Sequence, residues 1–167
     1  MAGQPEEHTD LATTRSASVV EYLDAEGVDH TLIEHNPTTS AAQEARATGE
    51  PAHKVAKTIV LEDRGYVLAV VPGDERLDLH KLRELLGATK SLRLATEAEM
   101  ADLFPSFEVG AVPPFGAGFP KLEVVDRRLL DEDRVLCAAG DHRHSVALDP
   151  SEILRLTGAV TADVCED

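Results

Sequence analysis

Four short stretches of the chain carry residues able to do chemistry on a small ligand. The first is Gly110-Ala-Val-Pro-Pro-Phe-Gly116, two glycines around a Pro-Pro-Phe core. Proline fixes φ and lacks an amide donor, so Pro113-Pro114 cannot sit mid-strand or mid-helix. Glycine admits φ > 0 and lets the main chain approach another group closely. A rigid apolar loop of this kind is suited to holding a ligand by main-chain groups, and the competing reading is an ordinary turn. The second feature is Lys57, inside the apolar run Val55-Ala-Lys-Thr-Ile-Val-Leu61. A lysine there either lies on the solvent face or lines a pocket, where its ammonium would meet phosphate or carboxylate oxygens. The third, Gly140-Asp-His-Arg-His144, lies between two strand-like runs. In an extended segment His142 and His144 share a face, but a third metal ligand of matching type is not evident nearby. A polar turn carrying one ligand-contacting histidine is the better functional reading, beside a plain solvated turn. The fourth, His35-Asn-Pro-Thr-Thr-Ser40, precedes a helix start, where free amides and the dipole attract anions. A helix cap with no further role is its alternative.

The elements that must position these residues follow from punctuation and period. Residues 1–14 are polar, without periodicity, and read as a tail, leaving 15–167 as a single domain. Ser16 is expected to cap a helix through Val19, Val20 and Leu23 that stops at Gly27. His30–Glu34 reads as a short strand, and Thr39 or Ser40 as the cap of a helix over Ala41–Ala47. Val55–Leu61 and Tyr66–Val71, joined by Glu62-Asp-Arg-Gly65, form the clearest hairpin. Asp78 caps Leu79–Leu86, whose leucines at 79, 82, 85 and 86 mark one apolar face. Thr96 and Glu99 stand at capping-box spacing ahead of a helix to Phe104. Ser91–Leu94, Lys121–Asp126, Arg134–Ala139, Ser145–Leu148 and Ala159–Val164 read as strands. Pro150 opens a helix that ends at Gly158. Several strand pairs lie too close for crossover helices. The expected fold is therefore α+β, a mixed and largely antiparallel sheet with flanking helices, rather than a doubly wound parallel sheet.

Composition narrows the functional classes. No apolar run is long enough to span a bilayer and the first eleven residues are polar, so the expected location is cytoplasmic. Two cysteines make no disulfide framework; Cys137 reads as a buried small hydrophobe and Cys165 as an exposed thiol. His8, His30, His53 and His80 read as surface residues. Walker, Gly-x-Gly-x-x-Gly, Gly-x-Ser-x-Gly and His-Glu-x-x-His motifs are absent. No nucleophile with an attached base is recognisable. An enzyme of this sequence would work by positioning and electrostatics on an already reactive bond. The net charge of −15 is unfavourable for gripping a nucleic-acid backbone.

In their order and spacing, Glu34-His-Asn-Pro37, Val55–Leu61, Leu77-Asp-Leu-His-Lys-Leu82, Leu92-Arg-Leu-Ala95, Gly110–Gly116, Ala139-Gly140 and Pro150-Ser-Glu-Ile-Leu154 resemble the YbaK/ProX family. These are trans-editing aminoacyl-tRNA deacylases related to the insertion domain of bacterial prolyl-tRNA synthetase. The resemblance runs from about Val19 to Gly158. It implies a barrel-like mixed sheet with flanking helices. It places the family's lysine on Lys57 and its Gly-x-x-x-Pro loop on Gly110 and Pro114. By resemblance that loop cradles the aminoacyl carbonyl, and the lysine contacts the terminal nucleotide or the carbonyl region.

Lys57, Gly110 and Pro114 are thus the expected catalytic residues. His35, Thr39, Pro113, Phe115, Gly116, Gly140 and His142 are the expected substrate-binding residues. The expected reaction is hydrolysis of a small amino acid, of cysteine or alanine type, mischarged on tRNA-Pro. No metal and no cofactor are implied. The implied partners are the acceptor end of aminoacyl-tRNA and prolyl-tRNA synthetase, with no membrane. Because of the acidic surface, a non-catalytic module that docks on a synthetase or another protein is the alternative, and a metal-dependent hydrolase built on His142 and His144 is the third reading.

Overall fold

The computed structural model describes residues 7–88, 90–119 and 122–167, with side chains from 15 onward. The described residues form five α-helices and eight strands, in the order α1 (Glu7–Ala25), β1 (His30–Glu34), α2 (Ala41–Thr48), β2 (Val55–Glu62), β3 (Tyr66–Pro72), α3 (Leu79–Leu86), β4 (Arg93–Leu94), α4 (Glu97–Leu103), β5 (Glu123–Asp126), β6 (Val135–Ala138), β7 (His144–Leu148), α5 (Pro150–Thr157) and β8 (Val160–Ala162). The local signals act as their chemistry requires. Ser40 Oγ accepts from Gln43 N–H at the start of α2, and Asp78 accepts from His80 and Lys81 N–H at the start of α3. Thr96 and Glu99 close the capping box of α4. Gly49, Gly87 and Gly158 end their helices in the left-handed conformation.

All eight strands join one sheet in the order β1-β7-β6-β2-β3-β5-β8, with β4 added to β2. The pairs β1/β7, β2/β3, β2/β4 and β6/β7 are antiparallel, while β2/β6, β3/β5 and β5/β8 are parallel. The sheet is mixed, as expected. Residues one apart on a strand enter different cores, because side chains alternate across the sheet. Ala56 packs with Val19 and Leu23 of α1, Ile153 of α5 and Phe115. Its neighbour Val55 packs with Ala45 of α2 on the opposite face.

Three local expectations are corrected. The first helix begins at Glu7, so residues 7–14 of the expected tail are helical and Ser16 lies inside the helix rather than capping it. No Pro or Gly interrupts residues 7–25. Residues 1–6 of that tail, with Lys121 of the expected fifth strand, lie outside the described residues. Cys165 is fully buried, not exposed. Leu77 bridges to it across the end of the sheet, and Lys81 Nζ donates to its carbonyl at 2.7 Å. His30 is largely covered as well, its ring Nδ1–H donating to Val28 O at 2.9 Å.

Candidate active site

Strand β2 changes partner along one edge. β3 pairs with its whole length from Ala56 to Glu62, so β6 and β4 must share the other edge. β6 holds Val55 and Ala56, and β4 holds Leu61 and Glu62. The stretch between them opens onto a cavity of about 300 Å³, which Ala56, Lys57, Thr58, Ile59 and Val60 all line. Five successive residues from both faces can line one cavity only where it meets the strand's edge. Val60 O accepts from Ala95 N–H at 2.9 Å. Alternation along an antiparallel strand turns the N–H and C=O of Thr58 the same way, toward the cavity. The Thr58 hydroxyl is buried and has no hydrogen-bond partner among the described residues.

Three loops close the rest of the cavity, and main-chain bonds knit them together. Glu108 N–H donates to Gly140 O at 2.9 Å, and Gly140 N–H donates to Ala111 O at 3.0 Å, lacing the glycine-proline loop to the Gly140–His144 turn. His35 N–H donates to Arg143 O at 2.8 Å and Thr38 N–H to His142 O at 3.0 Å, tying the segment before α2 to the same turn. Gly110 has φ 86°, a conformation that favours glycine. A Cβ there would sit 3.5 Å from Cε1 of His142, whose Nε2–H donates to Val109 O at 3.0 Å. Gly140 has φ 93°, and a Cβ on it would come within 2.9 Å of the Phe107 ring.

The expected site residues divide between cavity and scaffold. His35, Thr39, Lys57, Gly110 and His142 line the cavity. Lys57 Nζ donates to Glu75 O at 3.1 Å, which leaves two ammonium protons for other acceptors. Thr39 is tied by both N–H and hydroxyl to Gln43 Oε1, at 2.8 and 3.1 Å. Pro113, Pro114, Phe115, Gly116 and Gly140 do not appear on the cavity wall. Phe115 is 1% exposed and stacks on Tyr22 with ring centroids 6.0 Å apart, so it anchors the loop in the main core instead of facing a ligand. Pro113 and Pro114 are buried beside it, and Gly116 lies against Phe119. The buried end of the loop is apolar because it is core, and only its Gly110–Val112 end meets the cavity.

Polar residues without a local signal complete the wall. Glu44, Asp141 and Ser145 all line the cavity and are buried. Asp141 accepts from Arg143 N–H at 2.8 Å and from His144 Nδ1–H at 2.9 Å, fixing the turn. Ser145 Oγ lies 2.5 Å from Glu44 Oε2 and 2.9 Å from His35 Nε2. Burial pushes the Glu44 carboxyl above its usual range, against the pull of the Ser145 hydroxyl and of His35 and His142 nearby. His142 and His144 direct their bonded ring nitrogens at separate partners, Val109 O and the Asp141 carboxylate. The far end of the cavity is apolar, with Ile59, Val60, Leu94, Met100 and Val112.

A family model described as an aminoacyl-tRNA editing domain matches residues 35–156, which takes in every cavity residue named above. The chain belongs to this family, the YbaK/ProX group of its resemblance. It is 28% identical over 149 residues to the prolyl-tRNA editing protein ProX of Acetoanaerobium sticklandii, spanning 85% of this chain and 90% of that one. It is 37% identical over 76 residues to the proline–tRNA ligase of Thermosipho africanus, which covers 45% of this chain but 13% of the ligase. A solved structure described as a candidate trans-editing enzyme for prolyl-tRNA synthetase superposes with TM-score 0.83 at 33% identity, covering 92% of this chain and 98% of that one. The solved hypothetical protein APE2540 superposes with TM-score 0.79 at 34% identity, covering 89% and 99%. No helix among the described residues is long and apolar enough to cross a membrane.

Proposed function

We propose that this editing domain, a single unit over 15–167, deacylates a small amino acid mischarged on tRNA-Pro, with the acceptor end of the tRNA in the cavity at the open edge of β2. The observation that carries the reading is the convergence of Lys57, the Gly110 end of the loop and a polar wall on one small cavity within the family's matched span. About 300 Å³ is at the lower end of the usual range for ligand pockets, near 300–1,000 Å³. That space suits an aminoacyl group and its sugar, not the body of a nucleic acid. An aminoacyl ester is activated, so water, the neighbouring ribose hydroxyl or a substrate side chain can attack it. The protein needs to orient the ester and to stabilise the charge that builds on its carbonyl oxygen. In this reading Lys57 and main-chain donors at the open strand edge and at Gly110 supply that stabilisation. Pro114 holds the loop in shape from behind. His35, Thr39 and His142 form the wall against the substrate, and Gly140 fixes the turn that carries His142. Prolyl-tRNA synthetase is the synthetase whose errors the domain would clear.

The test is deacylation of cysteinyl-, alanyl-, seryl- and prolyl-tRNA-Pro, with Lys57→Ala as control. Fast loss of one mischarged ester that depends on Lys57 is the expected result. Survival of every ester in the presence of folded protein would overturn the reading in favour of a non-catalytic docking module, which the −15 charge also suits.

A further inference from the structure

His35, Glu44 and Ser145 come from three elements: the turn after β1, helix α2 and strand β7. They form one hydrogen-bonded chain against the cavity. Its inner end is sealed, because Ser145 is 0% and Glu44 8% exposed. The proton positions follow from the acceptors. His35 Nδ1 lies 2.7 Å from Asn36 O, and a carbonyl only accepts, so Nδ1 carries a proton. Ser145 has a single hydroxyl proton for its two neighbours. If that proton goes to Glu44, His35 Nε2 must also be protonated, giving an imidazolium and a carboxylate. If it goes to His35 Nε2, Glu44 must be the protonated acid, and every group is neutral. Both arrangements satisfy every bond and hold the same number of protons.

We propose that this chain is a sealed proton relay that lets His35 become cationic when negative charge appears in the cavity. The proton of Glu44 passes to Ser145 Oγ as the Ser145 hydroxyl proton passes to His35 Nε2. A neutral acid and a neutral imidazole become a carboxylate and an imidazolium, with no proton taken from solvent. The positive end lies on the cavity wall at the half-buried His35, and the negative end borders the same cavity at Glu44, which is 8% exposed. When the charge leaves with the products, the two protons return. Both ring nitrogens of His35 are engaged, so its part is electrostatic and not direct proton donation to the substrate. The same wiring sets it apart from a serine nucleophile with its base, since the serine lies between histidine and carboxylate and is itself enclosed.

The other groups around the relay are Lys57 on β2 and Asp141, His142 and His144 on the turn into β7. The Cys137 thiol of β6 lies behind Glu44, and burial pushes it well up, so it stays protonated. Burial raising the Glu44 carboxyl keeps the neutral arrangement within reach.

The inference rests on the deacylation reading for its role, and its test separates the two. Wild-type protein, Glu44→Gln, Ser145→Ala and the double variant are compared in kcat on the reactive ester and in the 15N spectrum of the His35 ring. A glutamine side chain can donate to or accept from Ser145 but has no acidic proton to release, so no proton can pass along the chain to His35. The relay predicts a bare Nε2 and a protonated Nδ1 at rest in both wild type and Glu44→Gln, and, with a phosphonate analogue of the aminoacyl ester that places negative charge in the cavity, a protonated Nε2 in the wild type alone. It predicts that each single variant lowers kcat about tenfold or more with little change in KM, and that the double variant is no slower than the singles. A wild-type Nε2 that stays bare with the phosphonate analogue, or an Nε2 that gains the proton equally in Glu44→Gln, would overturn the relay, as would wild-type kcat in either single variant or multiplied losses in the double. Absence of turnover in the wild type would overturn the deacylation reading alone, and the ring spectrum would still decide the relay.

Discussion

Glu123 is the residue whose chemistry is most at odds with its surroundings. It is 2% exposed on β5, and neither carboxyl oxygen has a partner among the described residues. Burial pushes its pKa up to about 8, so it folds as the neutral acid. The sign of the linkage follows. Below the usual carboxylate range both folded and unfolded chains hold the proton, and the group costs nothing extra. Between about 4.5 and 8 the unfolded chain has released a proton that the folded chain keeps, so stability falls as pH rises and levels off above 8. Thermal melts from pH 5 to pH 9 are expected to show this decline in the wild type and a flatter profile in Glu123→Gln, with a gain on the order of a few kcal/mol at the alkaline end. A wild-type profile that rises over that interval would contradict the assignment. At the cavity the opposite condition holds: Asp141 and Ser145 are equally buried, yet each has partners that fix its orientation.

At the level of elements, the site exists because β2 is longer than either partner on its open edge. A β6 that ran on past Ala138 would seal the gap, and the main chain around Thr58 would be spent on pairing. The loops that roof the gap depend on glycine where they cross. Gly140→Ala would force a left-handed residue and a contact with Phe107 at once, and is expected to cost about 2 kcal/mol or more. Gly110→Ala meets only an ordinary contact with His142 and is expected to cost about 1 kcal/mol, the left-handed backbone alone. Chemical denaturation of the two variants checks that order, and equal costs would show that the Phe107 ring gives way to a Cβ on Gly140 without penalty.

These elements were legible in the sequence to different degrees. Caps, stops and the β2/β3 hairpin are local, so Ser40, Asp78, Thr96 and the closing glycines announce them. The start of α1 was missed because its first turns carry no apolar period. Lys57, Gly110, His35, Thr39 and His142 stand out in the sequence by their marked loops or apolar strand, and all five line the cavity. Phe115 was misread because a Pro-Pro-Phe segment looks the same whether its ring faces a ligand or the core. Glu44 and Ser145 were invisible: 101 residues separate them, and neither stands in a motif. Only the pairing of β7 with β6, beside β2, brings them together.

At the scale of the molecule, the decisive property is charge. A surface of net −15 repels a phosphate backbone except where cations are concentrated. Cation-rich contacts would have to be few and close to the cavity. The equilibrium constant for tRNA binding is therefore expected to depend only weakly on salt, with a log–log slope shallower than about −3 between about 50 and 200 mM, the signature of a few phosphate contacts. A slope near −6 or steeper would show that the tRNA body is gripped and that the acidic surface has been misjudged. On the proposed function, specificity then rests on the terminal aminoacyl nucleotide, where a small cavity at an open strand edge would act on an ester without an extended interface. The measurement that tests this account most directly is single-turnover deacylation of alanyl- and cysteinyl-tRNA-Pro by the wild type and by Lys57→Ala, with the fold of both proteins checked by circular dichroism. The account predicts rapid loss of one of these esters with the wild type and a rate lower by on the order of a hundredfold or more with the variant. Esters that outlast the wild-type protein, or a Lys57→Ala protein that clears them at the wild-type rate, would contradict it.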